Sequence, residues 1–318
     1  MAFTVQKAKR EQSKARICLT GTSGSGKTVG SLFIAYGMTN DWNKVALIDT
    51  ERKRSLFYAN RSDLDVHAKE AGFTIGEFNH IDFEPPFTVD RYIEAMKAAQ
   101  EVVGSDGVVI IDSGSHAWKG TGGVLEYKEN VAEQRGKTDF SAWNDAGKVQ
   151  NKFIDAIMDL DCHVIITLRS KSEYVQEKDP ETGKSTVKKL GLKPEQRDDF
   201  EYEFMLVLDL DKTTHKATII KDNTFLEAQG FFDTLTPELG RQIKEWISDG
   251  KEPEVIRCEE CGSIIKGAEG RNGYLSPQEV ADNAKNTFGK QLCMDCCIKL
   301  ANAENDNNDD DNEEKSEE

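Results

Sequence analysis

Eight residues, Gly21-Thr22-Ser23-Gly24-Ser25-Gly26-Lys27-Thr28, constrain this 318-residue chain more than any other stretch, because they satisfy the pattern G-x-x-x-x-G-K-[ST]. The flanks agree with it. Arg16 to Thr20 is a short apolar run that reads as a buried strand, and Val29 to Tyr36 carries apolar residues at helical spacing. A strand, a glycine-rich loop and a helix in that order predict backbone N–H groups and a positive helix end that together bind phosphate oxygens. Lys27 is expected to reach the β and γ phosphates of a nucleotide, and the Thr28 hydroxyl to ligate Mg²⁺.

The next signals are apolar runs that end in acids. Lys44 to Asp49 reads as a second strand and runs into Asp49-Thr50-Glu51; Phe78 to Asp82 reads as a third, bounded by Pro85-Pro86. Thr88 to Val103, with apolar Val89, Ile93, Met96 and Val103, predicts an amphipathic helix. Gly107 to Asp112 predicts a fully buried strand whose terminal carboxylate would hold Mg²⁺ opposite Thr28, the Walker B arrangement. Two strands between the phosphate loop and Asp112 mark the branch of such folds that carries a separate catalytic Glu. Phe140 to Leu160 then predicts a helix, and His163 to Leu168 a buried strand leading to the polar Thr167, Arg169 and Lys171, where strand ends face ligand. Glu173 to Lys189 reads as two polar arms about an Asp179 to Gly183 turn. Phe204 to Leu210 and Lys216 to Ile220 predict a hairpin around Asp211 to Thr214, and Pro237 to Ile247 a last helix. The expected class is therefore an α/β P-loop NTPase core with a mainly parallel sheet.

Composition narrows the function. The formal charge is −16, from 41 basic and 57 acidic residues, which excludes a protein that coats nucleic acid with its whole surface. The segment 301–318 holds nine acids and one Lys, and reads as a disordered tail. No run approaches the ~18 to 20 apolar residues of a membrane span, and the amino end lacks a signal core, so a cytoplasmic protein without a membrane partner is expected. Cys18 and Cys162 sit in or beside predicted strands as small hydrophobes. The expected organisation is a polar arm over 1–14, the ATPase domain over 15–250, a linker over 251–256, a cysteine module over 257–300 and the acidic tail over 301–318.

The Walker motifs, Asp49-Thr50-Glu51 and Ile111-Asp112-Ser113 together resemble the RecA core. More specifically, Val164 to Lys171, Gly191 to Asp198 before Tyr202-Glu203-Phe204, and Ile220 to Thr224 resemble the phage RecA-like single-strand annealing ATPases, the Sak type of the RecA/KaiC-like superfamily. The likeness spans roughly 14–235 and is weakest between Trp118 and Phe140. It implies ATP with Mg²⁺ as cofactors, and Glu51 as the carboxylate that deprotonates the attacking water. It implies Thr167 as a γ-phosphate sensor, although Asn or Gln stands there in RecA. It implies Lys221, with Arg197 as the alternative, as a cation reaching a neighbouring subunit's phosphates, and hence a homo-oligomer; RecA has two lysines where this chain has Lys221-Asp222. It also implies that the segment Lys171 to Arg197, with seven basic and five acidic residues, forms a loop that binds single-stranded DNA through Lys171, Lys184, Lys188 and Lys189. Trp118, Lys119, Tyr127 and Tyr174 are candidates for base stacking.

Cys258-Glu-Glu-Cys261 and Cys293-Met-Asp-Cys296 are two C-x-x-C knuckles, and four thiolates on such turns suit tetrahedral Zn²⁺. Ser276-Pro-Gln-Glu279 predicts the start of a helix between them, and Cys297 is an alternative fourth ligand. The module resembles the zinc-ribbon-like tails of other phage recombination proteins. The function expected is an ATPase acting on single-stranded DNA in phage recombination, by annealing or strand exchange, in the host cytoplasm, with a single-strand binding or other replication protein as a further partner. The rivals are a nucleotide-dependent adaptor and a helicase loader.

Overall fold

The structure is a computed structural model that describes residues 7–61, 74–134, 136, 138–178, 185–252, 255–270 and 273–302. It divides into two compact units, Ser13–Asp249 and a second made of Met1–Gln12 with Gly250–Glu318. The expected acidic tail falls almost wholly outside the described residues, as do Lys184 and the Asp179 to Gly183 turn.

In the larger unit β1 (Arg16–Gly21) leads into α1 (Lys27–Thr39), then β2 (Val45–Asp49), β3 (Asn79–Asp82), α2 (Val89–Val103) and β4 (Val108–Asp112). Two short helices not expected from the sequence, α3 (Ser115–Lys119) and α4 (Val124–Ala132), precede α5 (Asp139–Met158). A long β5 (His163–Lys178) and β6 (Ser185–Pro194) form an antiparallel arm, followed by β7 (Leu206–Leu210), β8 (Lys216–Asp222), β9 (Phe232–Thr234) and α6 (Pro237–Ser248). The sheet order is β3-β2-β4-β5-β1-β7-β8-β9, with β6 added to β5. From β3 to β7 the pairings are parallel; the β7-β8-β9 edge is antiparallel.

Alternation along the strands builds the core. On β1, Ile17 and Leu19 face one side of the sheet while Cys18 faces the other, and β4 repeats this with Val108 and Ile110 against Val109 and Ile111. The first side is covered by α1 and α6 through Leu32, Ile34, Leu239 and Ile243; the second by α2 and α5 through Tyr92, Met96, Phe153 and Ile157. Burial on both faces explains why these strands read as continuous apolar runs. It also brings the carboxyl ends of β2, β4, β5, β1 and β7 to one edge, where ligands of open α/β sheets bind.

The smaller unit holds β10 (Ala268–Gly270) paired with β11 (Gly273–Leu275), α7 (Pro277–Phe288) and a helical stretch over 294–302. Ser276 caps α7 through a capping box with Glu279, and Pro277 takes the first-turn position that needs no N–H. Its small core contains Ile265, Val280, Ala281, Ala284 and Leu292 beside Cys258 and Cys296.

Candidate nucleotide site

The phosphate loop crosses from β1 to α1, and Gly26, at φ +99°, makes the turn in a conformation that side chains disfavour. Lys27 is buried, and its Nζ donates to the carbonyls of Gly21 at 2.8 Å and Thr22 at 2.9 Å. Burial lowers the Lys27 pKa, against the pull of Asp112 and Glu51. The Ser25 hydroxyl is buried with no hydrogen-bond partner. A cation turned back onto carbonyls and an orphaned donor in one loop are groups that fit an anion such as phosphate.

Asp112 ends β4 and is buried. Thr28 Oγ1 donates to its Oδ2 at 2.6 Å and Thr167 Oγ1 to its Oδ1 at 2.5 Å. Burial pushes the Asp112 carboxyl up, and the two hydroxyls oppose that shift. A carboxylate and a hydroxyl in contact are the hard oxygen donors that Mg²⁺ prefers, so Thr28 and Asp112 fit that ion. Thr167 reaches the carboxylate from the β5 side and is itself buried.

Glu51 follows β2 on a turn that Asp49 organises. The buried Asp49 carboxylate accepts from Glu51 N at 2.7 Å, Ser55 N at 2.9 Å and Ser55 Oγ at 2.5 Å. Glu51 is thereby aimed along the sheet edge, where Arg169 grips it: Nε donates to Oε1 at 2.7 Å and Nη2 donates to Oε2. Burial would lower the Arg169 pKa, but the Glu51 contact outweighs it and holds the guanidinium charged. Beside them, Thr50 Oγ1 lies 2.6 Å from His116 Nδ1, and the His116 ring stacks on Phe87. Burial and Arg169 both lower the His116 pKa. The sequence marks Arg169 as a polar group at the ligand-facing end of a buried strand but carries no signal of its grip on Glu51, and nothing in it marks His116.

Residues 13–244 match the family described as AAA domain (AAA_24). The chain belongs to this family of P-loop NTPases. No curated protein matches the chain.

Other residues named from the sequence lie farther from the phosphate loop of this AAA domain. Lys221 pairs with Val207 and Leu210 with Gly21, so Lys221 stands about three residues, roughly 10 Å, down the sheet from the nucleotide edge. Its Nζ donates to the Tyr202 carbonyl. Arg197 follows β6 and donates to Asn151 Oδ1 at 2.9 Å. Lys171 is exposed on the β5 arm, and Lys188 and Lys189 occupy β6 opposite Val175 and Tyr174. A contact not foreseen comes from the β7–β8 turn, where His215 Nδ1 lies 3.2 Å from Ser25 O.

In the smaller unit Cys258, Cys261, Cys293 and Cys296 gather with all sulfurs within 4.8 Å of one another. Cys261 Sγ and Cys293 Sγ are 3.7 Å apart, the edge expected of a tetrahedron with metal–sulfur bonds of ~2.3 Å. Cys297 Sγ instead turns towards the Leu292 carbonyl, 4.0 Å away. Burial opposes ionisation of Cys258, yet backbone N–H groups of Cys293, Cys261 and Glu260 and the Cys261 side chain bring its thiol down to about 6. Among the described residues no helix is long and apolar enough to cross a membrane.

Proposed function

We propose that this AAA domain is a RecA-like ATPase that acts on single-stranded DNA as a homo-oligomer, in annealing or strand exchange during phage recombination. The observation that carries the reading is the meeting of Lys27, the Thr28–Asp112 pair and the Arg169-held Glu51 at one sheet edge. A strand lies between β1 and β4 in the sheet, and the acid that would serve as base comes from β2 and not from β4; both features accord with a RecA-like arrangement.

In this reading Lys27 leaves the Gly21 and Thr22 carbonyls for the β and γ phosphates of ATP, and the Ser25 hydroxyl gains its partner from the phosphate chain. Thr28 and Asp112 would hold Mg²⁺, which supplies charge neutralisation at the β and γ oxygens. Glu51 accepts the proton of the attacking water, and Arg169 keeps its carboxylate aimed. Thr167 reports on the γ-phosphate only through Asp112. Lys221 is too far down the sheet to serve its own chain's nucleotide, which favours a role on a neighbouring subunit's phosphates. The β5–β6 arm leaves the sheet at Ser170, directly after Arg169, and carries Lys171, Lys188 and Lys189, which with Lys184 of the same stretch of sequence are the cations this reading assigns to single-stranded DNA. The four clustered cysteines hold Zn²⁺, and a replication protein is the partner for that unit.

The test is ATP turnover with and without single-stranded DNA, at low and moderate salt, on the wild type and Glu51→Gln. Stimulation that fades with salt and disappears in Glu51→Gln is the expected result. Turnover indifferent to DNA sinks the recombination reading and moves the adaptor or helicase-loader reading, which the cysteine cluster would serve, to first place.

A further inference from the structure

Next to the nucleotide edge, but outside it, the larger unit has a cleft of about 660 Å³ that combines two indoles with a cationic rim. Trp118 comes from α3 and Trp143 from α5, with ring centroids 6.3 Å apart and planes inclined by 29°. Trp143 keeps 43% of its surface exposed, and Lys128 Nζ lies 5.2 Å from its ring centre. Among the described residues that line it, the charged ones are Lys119, Lys171, Lys193 and Arg197 with Glu195 and Asp198, a positive excess in a chain of net charge −16.

The cleft is built, not incidental. Its floor is Gln196, which is buried, donates to the Gly114 carbonyl at 3.2 Å and accepts from Gln150 Nε2 at 3.0 Å and Arg197 N at 2.8 Å. The rim is pliable by contrast. Lys119 meets Glu195 at 3.4 Å and Lys193 meets Asp198 at 2.6 Å, and such solvent-facing pairs are weak, so phosphate oxygens can replace the carboxylates at little loss. A flat apolar surface flanked by cations from three separate segments matches a flat ring with an anion on each side.

We propose that this cleft seats an unpaired base of a single-stranded nucleic acid on the Trp118–Trp143 pair, with the flanking phosphates on Lys119, Lys171, Lys193 and Arg197. The inference rests on the single-strand reading above and gives it a location. The seat is wired to the chemistry: Glu195 N donates to the Arg169 carbonyl at 2.6 Å, and Arg169 N donates to Ser115 Oγ at 2.9 Å on the helix that carries Trp118. A strand in the cleft therefore presses on the backbone of the residue that grips Glu51.

The experiment is fluorescence anisotropy of labelled oligo(dU) and oligo(rU), which share one base and differ in the sugar, with the full chain, alongside quenching of intrinsic tryptophan fluorescence. Trp143→Ala is expected to weaken binding about tenfold or more, Trp143→Phe to keep most of it, and Lys171→Glu to weaken it without altering the melting temperature. Quenching of the wild-type indoles supports the seat with either polymer, and the tighter polymer identifies the sugar. If Trp143→Ala binds like the wild type while Lys189→Glu on the arm loses binding, the cleft is wrong and the single-strand reading survives. Failure of the wild type to bind either oligonucleotide at low salt overturns both.

Discussion

Asp112 shows at the scale of one residue how function is set against stability. Between its ordinary pKa of 3.8 and its raised value, the folded chain holds a proton that the unfolded chain releases. Its charge at neutral pH is therefore a cost to the fold, offset only in part by the hydroxyls of Thr28 and Thr167. Asp112→Asn should melt several degrees higher than the wild type without nucleotide at pH 7, while Mg²⁺-dependent turnover falls about 100-fold or more. The sign of the pH dependence checks the cause: the two melting temperatures should converge as pH falls and Asp112 takes up its proton. A constant gap would attribute the difference to something other than charge. Glu51 is the converse case of what a sequence can tell. Its place after an apolar strand beside a phosphate loop marks it as a candidate base, but its partner Arg169 lies 118 residues away. Pairing at that separation is a product of strand order, which no local pattern encodes.

At the scale of elements, legibility follows how locally each element is determined. The strands β1, β2, β4 and the first half of β5 are buried on both faces, so their composition announces them. Helices α2, α6 and α7 announce themselves by caps, with Thr88, Thr236 and Ser276 each accepting from a backbone N–H in the first turn. The short α3 and α4 do not, since glycines at 114, 120 and 123 surround them and only packing against their neighbours defines them. One crossing is more demanding than any pattern suggests. A Cβ on Gly37 of α1 would lie 1.8 Å from the Pro237 carbonyl oxygen, and one on Gly240 of α6 would lie 2.2 Å from the Ile34 oxygen. Backbone meets backbone there, so no side-chain rotation relieves the clash. Gly37→Ala should destabilise by about 3 kcal/mol, a fall in melting temperature of roughly 6–12 °C. Gly147→Ala in α5, where nothing stands within 4 Å, is the control and should be neutral or gain up to about 1 kcal/mol. Similar melting of both variants would mean that α1 and α6 do not cross this closely.

For the molecule as a whole, the two units depend on different forces. The Ser13–Asp249 unit contains every nucleotide-site residue and a sheet covered on both faces, so burial of apolar surface sustains it. Among its described residues the unit containing Gly250–Glu318 has a handful of buried apolar side chains around four cysteines, a core of the size that ordinarily needs a staple. If Zn²⁺ is that staple, its binding energy is folding energy. Releasing the metal with a thiol-modifying reagent and a chelator should free one equivalent of zinc per chain, measured with a chromogenic indicator. It should also abolish one calorimetric transition while the other persists and basal ATP turnover is kept. Cys296→Ser should lose the zinc, whereas Cys297→Ser should keep it, because only the former sulfur joins the tetrad. The reverse pattern would make Cys297 the fourth ligand, and an unchanged transition after full zinc release would mean that the small core folds on its own.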